Sequence, residues 1–265
     1  MDKAVVRKSK LLKSPHGFST RIGGVSKGIF DSLNLGMNRG DEVQDVKENW
    51  RRFLLECDID SDEFVCGKQV HGNYVHVASS DVMRPAYGPG WMAEADGYVT
   101  NEKNIPLAVF TADCVPVLLE DIQGGVVAAV HCGWRSTVAD IELECINKMI
   151  ELGASIDHIC VAIGPAICEK CFQVGREVIE AVNRLLSISE ADGINSGYYR
   201  IDAENDGKYY LNLREVVKQR FIQLGVVENN IEISKECTMC QPTDYWSHRY
   251  TNGERGSQAN IIMLK

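Results

Sequence analysis

The chain has 265 residues, 45% apolar and 25% charged, the profile of a soluble globular protein that can bury a core without cross-links. A net charge of −9, a pI near 5.2 and no stripe of Lys or Arg weigh against nucleic acid or an anionic membrane as the main partner. No apolar run reaches the length of a membrane span, and the opening MDKAVVRKSKLLKSP lacks an apolar signal core, so a cytoplasmic location with mostly free thiols is expected.

A helix is expected over 42–56, opened by Asp41 as N-cap, with Trp50, Phe53 and Leu54 at helical spacing. A strand-like run follows at 64–77, then a loop-rich segment, MRPAYGPGW, at 83–91. Strand patterns recur near 96–100, 106–111, 115–120 and 125–131, and then a helical pattern at 137–152. A strand near 158–163 and helices at 175–187 and 212–224 come next, the last with Asn212 near its start and Gly225 as C-cap. Strands near 231–235 and 259–264 close the chain. Some neighbours are joined by tight turns and others by helices, which predicts an α+β fold with mixed sheets, in a single domain over 1–265.

The segment TADCVPVLLEDIQGGVVAAVHCGWR (111–135) holds two apolar runs either side of a short polar turn. If Ile122–Gln123 or Asp121–Gly124 forms the loop, Cys114 faces His131 across the hairpin, with Cβ atoms about 4.5–5.5 Å apart. If the loop is Gln123–Gly124, His131 faces Pro116 and Cys114 lies one diagonal away. A thiolate and an imidazole this close can hold one metal ion or act as nucleophile and base; the plainer alternative is a small core residue beside a hydrogen-bonded strand end. His71, in KQVHG (68–72) within the run 64–77, would complete a His₂Cys set drawn from three strands, with a fourth position open for water or substrate. Spacing alone does not select it over His16, His76, His158 or His248.

The chain resembles the YfiH family, labelled laccase-domain or polyphenol oxidase proteins and regarded as purine nucleoside phosphorylases. The resemblance rests on TRIGGVSKGIFDSLNLG (20–36), KQVHG (68–72), ADGYVTN (95–101), TADCVPVLL (111–119), HCGWR (131–135), IGP and CFQVG (163–175) and ECT (236–238), with a looser match over 247–262. It implies mixed sheets packed with helices, similar to the catalytic domain of certain deamidating toxins, and a catalytic zinc held by His71, Cys114 and His131. It also implies phosphorolysis of adenosine, inosine and methylthioadenosine, with deamination of adenosine. The chain departs from the family at Cys132, Ser136, His248 and Ser257, with Arg255 beside the last.

Phosphorolysis needs a bound phosphate aimed at C1′, and Arg21, Arg135 and Arg249 are the candidates to hold it because a guanidinium is bidentate and stays charged. Deamination needs a carboxylate to move protons, and Asp113 beside Cys114 is the nearest in sequence, although a regular strand would point it to the opposite face. Asn34 and Gln69 are candidates to hydrogen-bond base or ribose, or else to cap turns. Cys168–Cys171 and Cys237–Cys240 are two CxxC units that could form a Cys₄ zinc site, but residues 172–236 separate them, a gap far longer than in zinc ribbons, so loop and core thiols are the plainer expectation. Three rival readings remain. One is copper-dependent phenol oxidation, since thiolate with imidazole suits copper too, though six histidines are too few for a multicopper laccase. The others are a metal-free cysteine hydrolase using Cys114 and His131, and a non-catalytic metal domain.

Overall fold

The computed structural model describes residues 3–37, 39–85 and 92–265, so most of the predicted loop at 83–91 lies outside the described residues. Two sheets pack face to face at its centre. The larger has six strands, in the order Ile231–Ile233, Cys160–Ile163, Val115–Asp121, Val126–Cys132, Gly97–Thr100, Val75–Val77. Its outermost pairings are parallel and its inner ones antiparallel. The smaller has four antiparallel strands, Val6–Arg7, His16–Ser19, Gln258–Met263 and Pro106–Thr111. A third, three-stranded sheet is formed by Gln173–Gly175, Lys208–Leu211 and Tyr199–Ile201.

Alternation along the central strands explains why they read as unbroken apolar runs. Leu118, Val127, Ala129 and Ala162 face the smaller sheet and meet its Leu107, Val109 and Ile262. Val117, Leu119, Val126, Ala128 and Val130 face the other way, onto the helices Ile141–Glu151, Arg176–Leu186 and Leu213–Gln223. The far side of the smaller sheet is covered by Trp50, Phe53 and Leu54 of the helix Val43–Glu56. The core is therefore four layers, helix–sheet–sheet–helix, and a strand buried on both faces needs no polar residue at alternate positions. This is the expected α+β architecture with mixed sheets. Among the described residues no helix is long and apolar enough to cross a membrane.

Two local departures from the sequence reading have physical causes, and two further expectations are settled. The run 64–77 is not one strand: it breaks into Glu63–Phe64, Gly67–Lys68 and Val75–Val77, with His71 in the left-handed region at φ 60° between the last two. Asp41 is not the helix cap; its carboxylate instead takes hydrogen bonds from Ser26 Oγ, Asn34 Nδ2 and the Glu42 amide. Asn212 does cap its helix, accepting from the Glu215 amide. The hairpin adopts the second of the two registers, Pro116 opposite His131 and Asp121 opposite Val126, so Cys114 is diagonal to His131. The loop Ile122–Gly125 is held by Asp121 Oδ1, which accepts from the Gln123 and Gly124 amides, with Gly125 at φ 65°.

Candidate metal centre

The strand Pro106–Thr111 belongs to the smaller sheet and Val115–Asp121 to the larger, so Ala112–Cys114 must carry the chain from one layer to the other. Asp113 makes that crossing at φ 96°, a conformation that a short polar side chain tolerates better than most. The crossing places Cys114 beside the end of Val126–Cys132, where His131 stands, and opposite the turn that carries His71. One donor atom from each of His71, Cys114 and His131 lies within 4.8 Å of the others, with Cys114 Sγ 3.8 Å from His71 Nε2. The two imidazoles meet edge to face, centroids 4.8 Å apart.

Asp96 organises this cluster. Its fully buried carboxylate accepts the amides of Val70 (3.0 Å), His71 (3.0 Å) and Gly72 (2.9 Å), and Nδ1 of His131 at 2.8 Å. Successive amides around a left-handed residue form a concavity for an anion, and here the anion is a side chain of the protein itself. Burial alone would raise the Asp96 pKa, but His131 and the amides of Gly72 and Val70 outweigh it and hold the group below the usual carboxylate range. With Nδ1 donating to Asp96, Nε2 of His131 is left free as a donor for a metal, the arrangement that orients metal-bound histidines generally. Burial disfavours a thiolate at Cys114, yet the His131 imidazole beside it drives the thiol below its ordinary value; the same pairing, with Asp96, drives His131 above its own.

The cluster opens into a cleft of about 400 Å³ whose walls include Met37, Arg39, Gln69, Phe110, Arg255 and Ser257. Arg39 lies close enough to disfavour the charge on Arg255. Arg255, mostly buried, is lowered to about 10 by desolvation first and Arg39 second. Its Nη1 donates to Gly256 O and Ser257 Oγ, and its Nε is buried without a partner among the described residues. Gln69 lines the same cleft, with its amide clamped on both backbone groups of Phe110 (2.7 and 2.6 Å).

The other expected site residues are not among those lining the cleft. Arg21 donates to the carbonyls of Asp31 and Pro242 and lies over the Trp246 ring at 3.9 Å, in a separate surface hollow with Ile22 and Tyr250. Asn34 is buried and bonds Asp41 and the amides of Gly36 and Ser257. Arg135 is exposed, stacked 4.2 Å over Trp134. Arg249 is exposed and reaches Gln173 O. The carboxylate of Asp113 is committed to Thr238 Oγ1 and the Arg249 amide, both at 2.7 Å.

Residues 15–265 match the family described as multi-copper polyphenol oxidoreductase laccase. The chain belongs to this family. Of its relatives, a purine nucleoside phosphorylase of Deinococcus radiodurans is 33% identical over 254 residues, 96% of this chain and 90% of that protein. Adenosine deaminase RL5, from an unknown prokaryotic organism, is 32% identical over 249 residues, 91% of this chain and 90% of that protein. A crystal structure of the Bacillus licheniformis hypothetical protein YfiH superposes with a TM-score of 0.85 at 31% identity, covering 94% of this chain and 92% of that one. Laccase-domain relatives thus carry two different enzyme names, and the Cys–His cluster of this member is a set of donors suited to a metal. Asp96 and Arg39 had no role in the sequence reading, where Arg255 entered only beside the departure at Ser257. Asp96 left one signal there, an acid between Ala95 and Gly97 at the head of a buried strand.

Proposed function

We propose that this laccase-domain protein is a zinc-dependent purine nucleoside phosphorylase acting on adenosine, inosine and methylthioadenosine, with deamination of adenosine as a minor activity. The observation that carries this reading is that three metal-type ligands and two guanidinium groups, Arg39 and Arg255, line one cleft of about 400 Å³, which is of nucleoside-binding size. The donor set fits the metal: one thiolate and two imidazoles, one of them fixed by a buried carboxylate, would leave a fourth ligand position for phosphate or nucleoside. His71, Cys114 and His131 would hold it. When bound, it supplies Lewis acidity toward an oxygen of phosphate or ribose.

Arg39 and Arg255 hold the phosphate dianion, for which Arg255 has a buried, unpaired Nε. An oxygen of the hydrogenphosphate dianion attacks C1′ as the C1′–N9 bond breaks, and the purine leaves with the bonding electrons and takes up the hydrogenphosphate proton, giving ribose 1-phosphate as the dianion. Phe110, whose ring rests edge-on against Trp50, offers the base an apolar wall. No carboxylate is among the described lining residues, and both oxygens of Asp113 are occupied, which supports phosphorolysis over deamination.

Purified protein of measured metal content, incubated with adenosine and phosphate, is expected to yield adenine and ribose 1-phosphate, and His71→Ala to yield neither. Inosine as the sole product would replace this reading with a zinc deaminase; no turnover with zinc bound would refute adenosine as substrate. Met37 in the same wall gives the copper alternative a thioether, and phenol oxidation appearing only after copper loading would favour it.

A further inference from the structure

The two CxxC units, far apart in sequence, are side by side in the fold. A parallel bridge joins Ala166 to Cys237, and the Thr238 amide donates to Ala166 O, which lays one CxxC turn against the other. The Sγ atoms of Cys168, Cys171, Cys237 and Cys240 all lie within 4.8 Å of one another. Cys240 Sγ is 3.8 Å from that of Cys168 and 3.3 Å from that of Cys171. Four thiolates each about 2.3 Å from one tetrahedral ion would stand about 3.8 Å apart, so the cluster needs only small adjustments to receive one. Cys237 Sγ also accepts the amides of Cys168 (3.3 Å) and Cys240 (3.4 Å), the kind of outer hydrogen bond that orients a metal ligand.

We propose that Cys168, Cys171, Cys237 and Cys240 form a second metal site, separate from the His71–Cys114–His131 cluster, that takes a thiophilic divalent ion such as zinc. Four protein ligands leave no position for substrate, so the site is structural. What it cross-links is specific. Ile167, next to Cys168, donates its amide to Asp113 O; Thr238, next to Cys237, donates its hydroxyl to Asp113 Oδ1. The ion thereby ties together the two loops that grip the Asp113 crossing, and that crossing delivers Cys114.

The test is cobalt titration of the full chain in three forms: unchanged, His71→Ala/His131→Ala, and Cys171→Ser/Cys240→Ser. The unchanged protein should bind two equivalents. The histidine variant should keep one, with the strong sulfur-to-cobalt charge-transfer absorption of a four-thiolate tetrahedral centre, and the cysteine variant should lose that absorption. Should the cysteine variant fail to fold, reactivity of the unchanged protein toward a thiol reagent decides: zinc loading should protect four thiols in addition to Cys114. A histidine variant that binds no cobalt, or a disulfide among these four cysteines in protein freshly purified under reducing conditions, would overturn the proposal.

Discussion

Asp96→Asn keeps the shape of the side chain and removes one acceptor. The carboxylate takes four N–H groups, two on each oxygen: His71 and His131 on Oδ1, Val70 and Gly72 on Oδ2. An amide can accept at only one end, so in either orientation two donors in a dry site face another donor. Each costs about 1–3 kcal/mol when left unmatched, so about 2–6 kcal/mol in all. In a chain of this size that lowers the melting temperature by about 4 °C or more. The same change frees the His131 ring and loosens the turn beneath His71, and losing the outer partner of a ligating histidine weakens metal affinity about 10–100-fold. Differential scanning calorimetry and zinc competition against a chromophoric chelator measure the two effects. A variant with normal zinc affinity, whatever its melting temperature, would refute the idea that Asp96 orients the ligands.

Three further changes probe separate parts of the molecule. A Cβ on Gly133 would come 2.8 Å from His71 Cδ2 and 3.5 Å from Cys114 Sγ, while φ of −72° suits alanine; Gly133→Ala should cut zinc affinity by about tenfold or more with little loss of stability, as measured by chelator competition and thermal melting. Arg255→Gln removes a guanidinium lining the cleft and should raise the KM for phosphate by about tenfold, an effect absent if phosphate binds elsewhere. Glu142 is fully buried, and desolvation raises it to about 7, so the folded state holds a proton that the unfolded state gives up near pH 4.5. Its contribution is greatest below that pH and falls as pH rises toward 7, a cost of about 3 kcal/mol beyond; Glu142→Gln should remove this slope from denaturant unfolding measured between pH 5 and 8.

The parts of this fold that could be read from sequence are those written in contiguous residues. Strands at 106–111, 115–120 and 125–131 were placed within about one residue because both their faces are buried and the apolar run is unbroken. The 64–77 segment misled because its apolar residues are shared among three short strands, and the turn at His71 depends on Asp96, which lies beyond it in sequence. Hairpin register was left open by a loop with several possible closures, and only the packing of both strand faces selects one. Arg21 sits in a glycine-rich loop that reads like an anion cradle, yet Trp246, more than two hundred positions away, claims its guanidinium. Arg39 shows the reverse: it lies in no local pattern, and tertiary folding alone places it with Arg255 in the cleft beside the cysteine and histidines. The two CxxC units belong with them, since the bridge from Ala166 to Cys237 cancels a separation that argued against their meeting.

Pro106–Thr111 is the edge of the smaller sheet, and an exposed edge is a template on which a second chain can add a strand. Here that edge is closed by the segment that also carries His71. Val65 takes the Ala108 amide and donates to Pro106 O, and Gln69 fills the next place by mimicking a backbone unit against Phe110. The turn bearing His71 is thus an end-stop against self-association. Any lesion that unseats it would expose a sticky sheet margin in the same event that breaks up the His71–Cys114–His131 cluster.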